Sequence, residues 1–102
     1  MDNLRELTQN DIKIMVYCYD KKTGVGLSKA NGITVEEVYN RSKEALSLSE
    51  SKIRSALNTL VEYGYMDNGL KNGRKKSYCI TDEGYAYIKS IKEVIGKNRE
   101  DV

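Results

Sequence analysis

Residues 49–84 read SESKIRSALNTLVEYGYMDNGLKNGRKKSYCITDEG, and the first part of this stretch predicts an amphipathic helix. Ser49 is a favourable N-cap, because its hydroxyl can accept a hydrogen bond from an N–H of the first turn. Ser47 is a rival N-cap just before it. Gly64 stands where the left-handed residue that often ends a helix is expected. The apolar positions between these signals recur at helical spacing and are Ile53, Leu57, Leu60 and Val61.

The pattern changes after Gly64 and predicts a β-hairpin. One extended segment begins at residues 65–66, and a second ends at residues 78–80. Between them stand Asn72 and Gly73, the dipeptide most typical of a two-residue hairpin turn. A type I′ turn needs a positive φ at both central residues, which Asn tolerates and Gly adopts freely.

Capping signals outside this stretch predict the remaining elements. Residues 8–11 (TQND) begin helix 1, expected over about residues 9–20. Residues 34–37 (TVEE) begin helix 2, which is expected to fade after Ser42 or Lys43. Ile33 is placed to form a short edge strand, and Thr81 caps a final amphipathic helix. The predicted order is helix, short strand, helix, helix, hairpin, helix.

Length and composition limit the class of protein. The 102 residues suit a single domain, residues 1–102, with an ordered core over residues 7–95 and a charged tail, residues 96–102, that is expected to fray. No stretch resembles a signal peptide or a membrane span, so a cytoplasmic protein with no membrane partner is expected. The chain has no His, the commonest general base and metal ligand. We therefore expect no enzyme, no metal site and no cofactor.

The cysteines and tyrosines are interpreted as packing residues. Cys18 and Cys79 lie among apolar neighbours, which favours two buried thiols over a disulfide. The chain has 8 Tyr and no Phe or Trp, and these tyrosines are expected to pack in or at the rim of the core.

The order of elements and two sequence segments resemble the winged helix-turn-helix proteins. Residues 49–66 are similar to a recognition helix that runs into the first strand of a wing. Residues 78–84 (YCITDEG) are similar to the family pattern Y-x-[LI]-T-x-x-G at the end of the wing. The resemblance covers residues 8–95 and implies an α+β, mainly helical, winged helix-turn-helix fold. It also implies that double-stranded DNA is the partner.

The exposed face of the predicted recognition helix carries side chains suited to DNA. Arg54 can contact guanine O6 and N7, and Asn58 can contact adenine N6 and N7. Serines near the helix N-terminus suit phosphate oxygens. The alternative is a solvated polar face with no partner. The candidate residues on this helix are Ser49, Ser51, Lys52, Arg54, Ser55 and Asn58.

Positive charge concentrates at the predicted hairpin, the wing, although Lys+Arg 17 against Asp+Glu 15 leaves a net charge of only +2. A basic β-ribbon can follow phosphates or place an arginine in a narrow minor groove. Lysines at a strand edge can also serve only to prevent aggregation. Because the helix has few cations, the wing is expected to contribute at least as much affinity as the helix. The wing candidates are Lys71, Asn72, Gly73, Arg74, Lys75 and Lys76.

Two classes of function follow from these patterns. The first is sequence-specific binding of double-stranded DNA, either as a transcriptional regulator or as an accessory protein at an origin of replication or at a plasmid origin of transfer in conjugation. The second is a winged helix that binds another protein and makes no DNA contact. The apolar face of the final helix extends to Ile95, which favours a homodimer over a helix that only covers its own core. No small-molecule ligand is evident.

Overall fold

The computed structural model describes residues 7–70 and 75–100, with side chains as far as residue 91. Its elements follow the predicted order, which is therefore confirmed. A short 3₁₀ helix, Lys29–Asn31, precedes the first strand. The other elements are α1 (Gln9–Val16), β1 (Ile33–Thr34), α2 (Val35–Leu46), α3 (Glu50–Glu62), β2 (Met66–Asn68), β3 (Ser77–Ile80) and α4 (Asp82–Glu100).

β3 is the central strand of a three-stranded antiparallel sheet, with β1 on one side and β2 on the other. Ile33 of β1 pairs with Tyr78, and Met66 of β2 pairs with Ile80. The edge strand predicted at Ile33 is confirmed. All residues of β3 are buried, as expected of a strand that is paired along both edges. The hairpin turn predicted at residues 72–73 lies outside the described residues.

α3 begins and ends where its sequence signals predict. The Ser49 hydroxyl accepts a hydrogen bond of 3.2 Å from the Lys52 N–H. Ile53 and Leu57 are fully buried, which confirms the predicted apolar face. Gly64 follows the helix with a φ of +82°, in the left-handed region that glycine adopts without strain.

α1 is shorter than predicted and ends at Val16 rather than near residue 20. The N–H groups of Tyr17 and Cys18 bond to carbonyls three residues back, at 2.9 and 3.0 Å, which tightens and ends the helix. Gly26 packs directly against Cys18. A Cβ added to Gly26 would lie only 1.9 Å from the Cys18 carbonyl oxygen. The loop after α1 therefore occupies the space that a longer helix would need.

α2 is longer than predicted and continues to Leu46 instead of fading after Ser42 or Lys43. The Ser42 hydroxyl donates a hydrogen bond of 2.8 Å to the Val38 carbonyl, so this buried side chain is satisfied within the helix. Ser47 then adopts a φ of 54° and closes α2. It is the C-cap of α2, so its alternative role as N-cap of α3 is excluded.

The core contains the two cysteines as free, buried thiols, which confirms their interpretation. Burial raises the pKa of the Cys18 thiol to about 12 and also raises the pKa of Cys79. Neither thiol is therefore a ready nucleophile at neutral pH. Tyr19 and Tyr78 are buried among the apolar side chains, as the packing interpretation predicts.

α4 begins at the predicted cap, where the Thr81 hydroxyl accepts a hydrogen bond of 3.0 Å from the Gly84 N–H. Ile88 is buried in the core. The helix continues to Glu100, so the backbone is helical past residue 96, where fraying is predicted; residues 101–102 lie outside the described residues. None of the described helices has both the length and the apolar character that a membrane crossing requires.

Substitution of Gly84 by Ala is expected to destabilise the protein by about 2 kcal/mol or more. Inside most helices this change is stabilising by roughly 0.5–1 kcal/mol. Here an added Cβ would lie 2.0 Å from the Tyr65 carbonyl oxygen. The backbone just before β2 and the first turn of α4 would therefore have to move apart. Urea denaturation measures the change.

The control is Ser90→Ala, at an exposed position on the same helix. It is expected to change the free energy of unfolding by no more than about 0.5 kcal/mol. A Gly84→Ala protein as stable as the wild type would contradict the close contact.

Candidate nucleic-acid interface

An open groove of about 310 Å³ lies between α3, the start of α2 and the end of the wing that leads into β3. We call it the wing groove. It brings residues of the predicted recognition helix together with residues of the predicted wing. Its chemistry is mixed, since Arg and Lys side chains stand beside carboxylates and an amide. The groove is lined by Thr34, Val35, Glu36, Glu50, Arg54, Asn58, Lys75, Lys76 and Tyr78.

Arg54 and Asn58 enter the wing groove because of the rotation of α3. They are one helical turn apart and therefore share a face. The preceding residues, Ile53 and Leu57, are both 0% exposed and fix the adjacent face of the helix in the core. Arg54 and Asn58 are consequently exposed along the same groove.

Tyr78 of β3 connects the core to this exposed face. Its side chain is only 1% exposed, and its hydroxyl donates a hydrogen bond of 3.1 Å to Oδ1 of Asn58. The Lys76 ammonium lies 5.5 Å from the centre of the Tyr78 ring, within range of a cation–π interaction. Sequence reasoning treated Tyr78 as a packing residue and missed its contact with Asn58, which no local sequence signal indicates.

Glu36 at the start of α2 forms an ion pair with Lys75, with 2.8 Å between Oε1 and Nζ. The hydrogen bond and the ammonium charge lower the pKa of Glu36, and the same pair raises the pKa of Lys75. Both side chains are more than half exposed, at 63% for Lys75 and 56% for Glu36, so water screens the attraction. Sequence reasoning assigned Glu36 to helix capping and missed this partner of the wing.

The other predicted site residues lie elsewhere. Lys52 and Ser55 line a separate shallow pocket that faces the start of α1. The Ser49 hydroxyl is occupied as the N-cap of α3, and Ser51 is exposed in its first turn. Of the twelve candidates, the structure brings Arg54, Asn58, Lys75 and Lys76 together in the wing groove. Lys71, Asn72, Gly73 and Arg74 lie outside the described residues.

The wing groove is equipped for binding an acceptor-rich partner. Guanidinium, ammonium and amide groups donate hydrogen bonds to phosphate oxygens and to base edges.

Within residues 7–70 and 75–91, no three His, Cys, Asp or Glu side chains lie close enough to hold a metal ion. Glu37 is used in the α2 capping box, where its carboxylate accepts a bond of 2.9 Å from the Thr34 N–H.

Comparison with solved structures identifies the fold. MepR of Staphylococcus aureus, a transcription regulator of the multidrug efflux pump MepA, matches 94% of this chain with a TM-score of 0.70 and 14% identity. SSV1 F-93 matches 98% of this chain and 100% of its own, with a TM-score of 0.64 and 17% identity. The DNA-binding TubR fragment of Clostridium botulinum matches 85% of this chain and 99% of its own, with a TM-score of 0.60 and 26% identity.

These similarities define a winged helix-turn-helix fold, which confirms the predicted fold class. The described part of the chain contains its four α-helices and its small antiparallel sheet. The chain spans 63% of the length of MepR. No protein-family model matches the sequence, and the search of curated proteins finds no match.

The ion pair between Glu36 and Lys75 predicts that the Glu36 carboxyl titrates at a lower pH than an ordinary glutamate. Because the pKa of Glu36 is lowered in the folded protein, the small stabilisation from its pair with Lys75 is complete above the unfolded pKa of about 4.3. It is lost as the pH falls through the lower, folded pKa. An NMR titration of the Glu36 carboxyl should therefore give a midpoint below the usual range for Glu.

Lys75→Ala should return this midpoint towards the ordinary value, and the control Lys76→Ala should leave it lowered. Lys76 is suitable because it lines the same groove without contributing to the pKa of Glu36. A normal midpoint in the wild type would show that the pair does not persist in solution.

Proposed function

We propose that this chain binds double-stranded DNA with sequence specificity, through α3 in the major groove and the wing along the adjacent backbone. The observation that carries the proposal is the wing groove, where Arg54 and Asn58 of α3 stand beside Lys75 and Lys76 of the wing. A helix and a neighbouring basic ribbon that face one open groove form the arrangement with which a winged helix can read bases and hold phosphates together.

The roles in this proposal follow from the chemistry of each side chain. Arg54 is a planar donor that can bind guanine O6 and N7 in a bidentate manner. Lys75 and Lys76 are ammonium groups that neutralise phosphates and release counterions. Ser49 and Ser51 stand at the N-terminus of α3, where the helix dipole favours an anion. Lys71 and Arg74 extend the basic surface in the proposal on the evidence of sequence alone.

The names of structural neighbours support DNA binding in this general sense. MepR, which is a transcription regulator, has also been solved in a complex with DNA, and that structure matches 93% of this chain with a TM-score of 0.68. The TubR fragment is described as DNA-binding. The extension of this property to this chain is supported by its own hydrogen-bond donors, of which Arg54, Asn58, Lys75 and Lys76 line one open groove.

DNA binding alone does not specify the biological process, which is either transcription regulation or plasmid conjugation. The size and basic wing resemble TcpK, a winged-helix accessory protein of plasmid conjugation, which would imply an accessory role in the relaxosome at an origin of transfer. None of the solved structures named above is TcpK, and the description of MepR as a transcription regulator favours that role instead. Identification of the bound sequence decides between a promoter and an origin of transfer.

We further propose a cytoplasmic, non-catalytic homodimer that pairs through α4 and needs no cofactor. The support is the apolar pattern of α4, which continues from the buried Ile88 to the half-buried Ile91. Val94 and Ile95 extend this pattern in the sequence, although their side chains lie outside the described residues. Light scattering after size-exclusion chromatography distinguishes a dimer from a monomer of 11.6 kDa.

The wing should be required for tight binding. Selection from a pool of random duplexes with the wild type is expected to enrich a short motif. Changing Lys71, Arg74, Lys75 and Lys76 to Ala should weaken binding of that motif by roughly tenfold or more, because the phosphate contacts are lost. The slope of log affinity against log salt should become shallower by about 0.9 for each contact removed.

The matched control removes the same charge from exposed positions that do not line the wing groove: Lys13, Lys22, Lys43 and Lys89. It should retain near-wild-type affinity. Equal losses in the two variants would contradict a binding role for the wing. A wild type that enriches no motif, and binds only weakly near physiological salt, would favour a protein-interaction module.

Glu36 should restrain DNA binding by competing for Lys75. In Glu36→Gln, Lys75 no longer has an ionised partner at 2.8 Å and is free to neutralise a phosphate. Affinity for the selected motif should rise by about two- to fivefold, and the salt dependence should steepen. Fluorescence anisotropy at several salt concentrations measures both.

Glu44→Gln is the control, since Glu44 is an exposed acid on the same helix that does not line the wing groove. It changes the net charge equally and should have a smaller effect. Equal gains in the two variants would show that only net charge matters.

A further inference from the structure

The contact between Tyr78 and Asn58 determines which atoms Asn58 can offer to a partner. Tyr78 is only 1% exposed, and its hydroxyl lies 3.1 Å from Oδ1 of Asn58. Within the described part of the chain this hydroxyl has no other hydrogen-bond partner. A buried hydroxyl proton without an acceptor is unfavourable, so the hydroxyl needs the amide oxygen on its side.

The opposite orientation of the amide would not satisfy this requirement. If the amide of Asn58 were rotated, its NH₂ group would donate to the Tyr78 oxygen, and the hydroxyl proton would have no acceptor. The observed arrangement therefore holds Oδ1 towards β3. Because the two ends of an amide diverge, Nδ2 is then the end that is available in the wing groove.

This orientation conflicts with a bidentate contact to adenine. That contact requires Oδ1 and Nδ2 to face the base together, the oxygen accepting from N6 and the nitrogen donating to N7. With Oδ1 turned to Tyr78, Asn58 presents only donors. In the major groove, guanine presents two neighbouring acceptors, O6 and N7, and thymine presents the acceptor O4. Adenine presents the acceptor N7 beside the donor N6, so a group that offers only donors meets another donor there and is disfavoured.

We propose that Tyr78 is a positioning residue that makes Asn58 a hydrogen-bond donor and so selects guanine or thymine, rather than adenine, at one position of the DNA site. The inference rests on the proposed function and specifies its base preference. It changes the role that the sequence alone gives to Asn58, since sequence reasoning assigned that residue to adenine.

The test is selection from random duplexes with the wild type, three test variants and one control variant. Asn58→Ala identifies the position that Asn58 reads, because the preference there should disappear. The wild type should prefer guanine or thymine at that position. Tyr78→Phe removes only the hydroxyl and frees Oδ1, so adenine should gain roughly tenfold relative to the wild-type base.

Asn58→Asp provides an independent measurement. The carboxylate can still accept the bond from Tyr78 but has no donor, so the preference should move to cytosine, whose N4 amine donates. Tyr17→Phe is the matched control, since Tyr17 is a half-buried tyrosine outside the wing groove, and it should leave the motif unchanged. Thermal unfolding of each variant separates a change in base preference from a loss of fold.

The outcomes distinguish this inference from the proposed function. A wild type that prefers adenine at the Asn58 position, or a folded Tyr78→Phe variant that keeps the wild-type preference, would overturn the inference and leave DNA binding intact. A wild type that enriches no motif would overturn both. A preference for guanine or thymine that passes to adenine in Tyr78→Phe would establish the positioning role.

Discussion

The packing of α3 into the core is the interaction on which the other features of the structure depend. Ile53, Leu57 and Leu60 are each 0% exposed, and α3 packs against α1, α2 and β2. Burial of each such side chain contributes about 1.5–3 kcal/mol, so the rotation of the helix about its axis is strongly fixed. That rotation places Arg54 and Asn58 on the exposed face and turns them towards the wing.

Carboxylates partly offset the positive charges that line the wing groove, and this affects how the groove can bind. Lys75 is paired with Glu36 in the groove, and Lys29, which does not line it, is paired with Asp67 at 3.4 Å. With a net charge of +2, the chain has little long-range attraction for a polyanion. In the proposed function, phosphates must compete with carboxylates for the lysines. Specific short-range contacts, such as those of Arg54, would then have to add to the affinity that the charges of the wing supply.

Local signals in the sequence were sufficient to determine the order and most boundaries of the elements. Each involves residues within a few positions of one another, such as the Thr34 capping box, the Ser49 N-cap and the left-handed Gly64. Helical spacing of apolar residues also identified the buried face of α3 correctly. These predictions succeed because capping bonds and helical periodicity depend on short stretches of chain. The DNA-reading roles of the site residues remain predictions.

Contacts between distant parts of the chain were decided only by the tertiary structure. Glu36 and Lys75 are 39 residues apart, and Asn58 and Tyr78 are 20 apart, so no local pattern could pair them. The early end of α1 likewise depends on the approach of Gly26 to the Cys18 carbonyl. The sequence alone therefore determined which elements form and which residues are donors, acids or core residues. The packing of α2, α3 and the sheet decided which of them meet, because side-chain partners depend on the relative positions and rotations of whole elements.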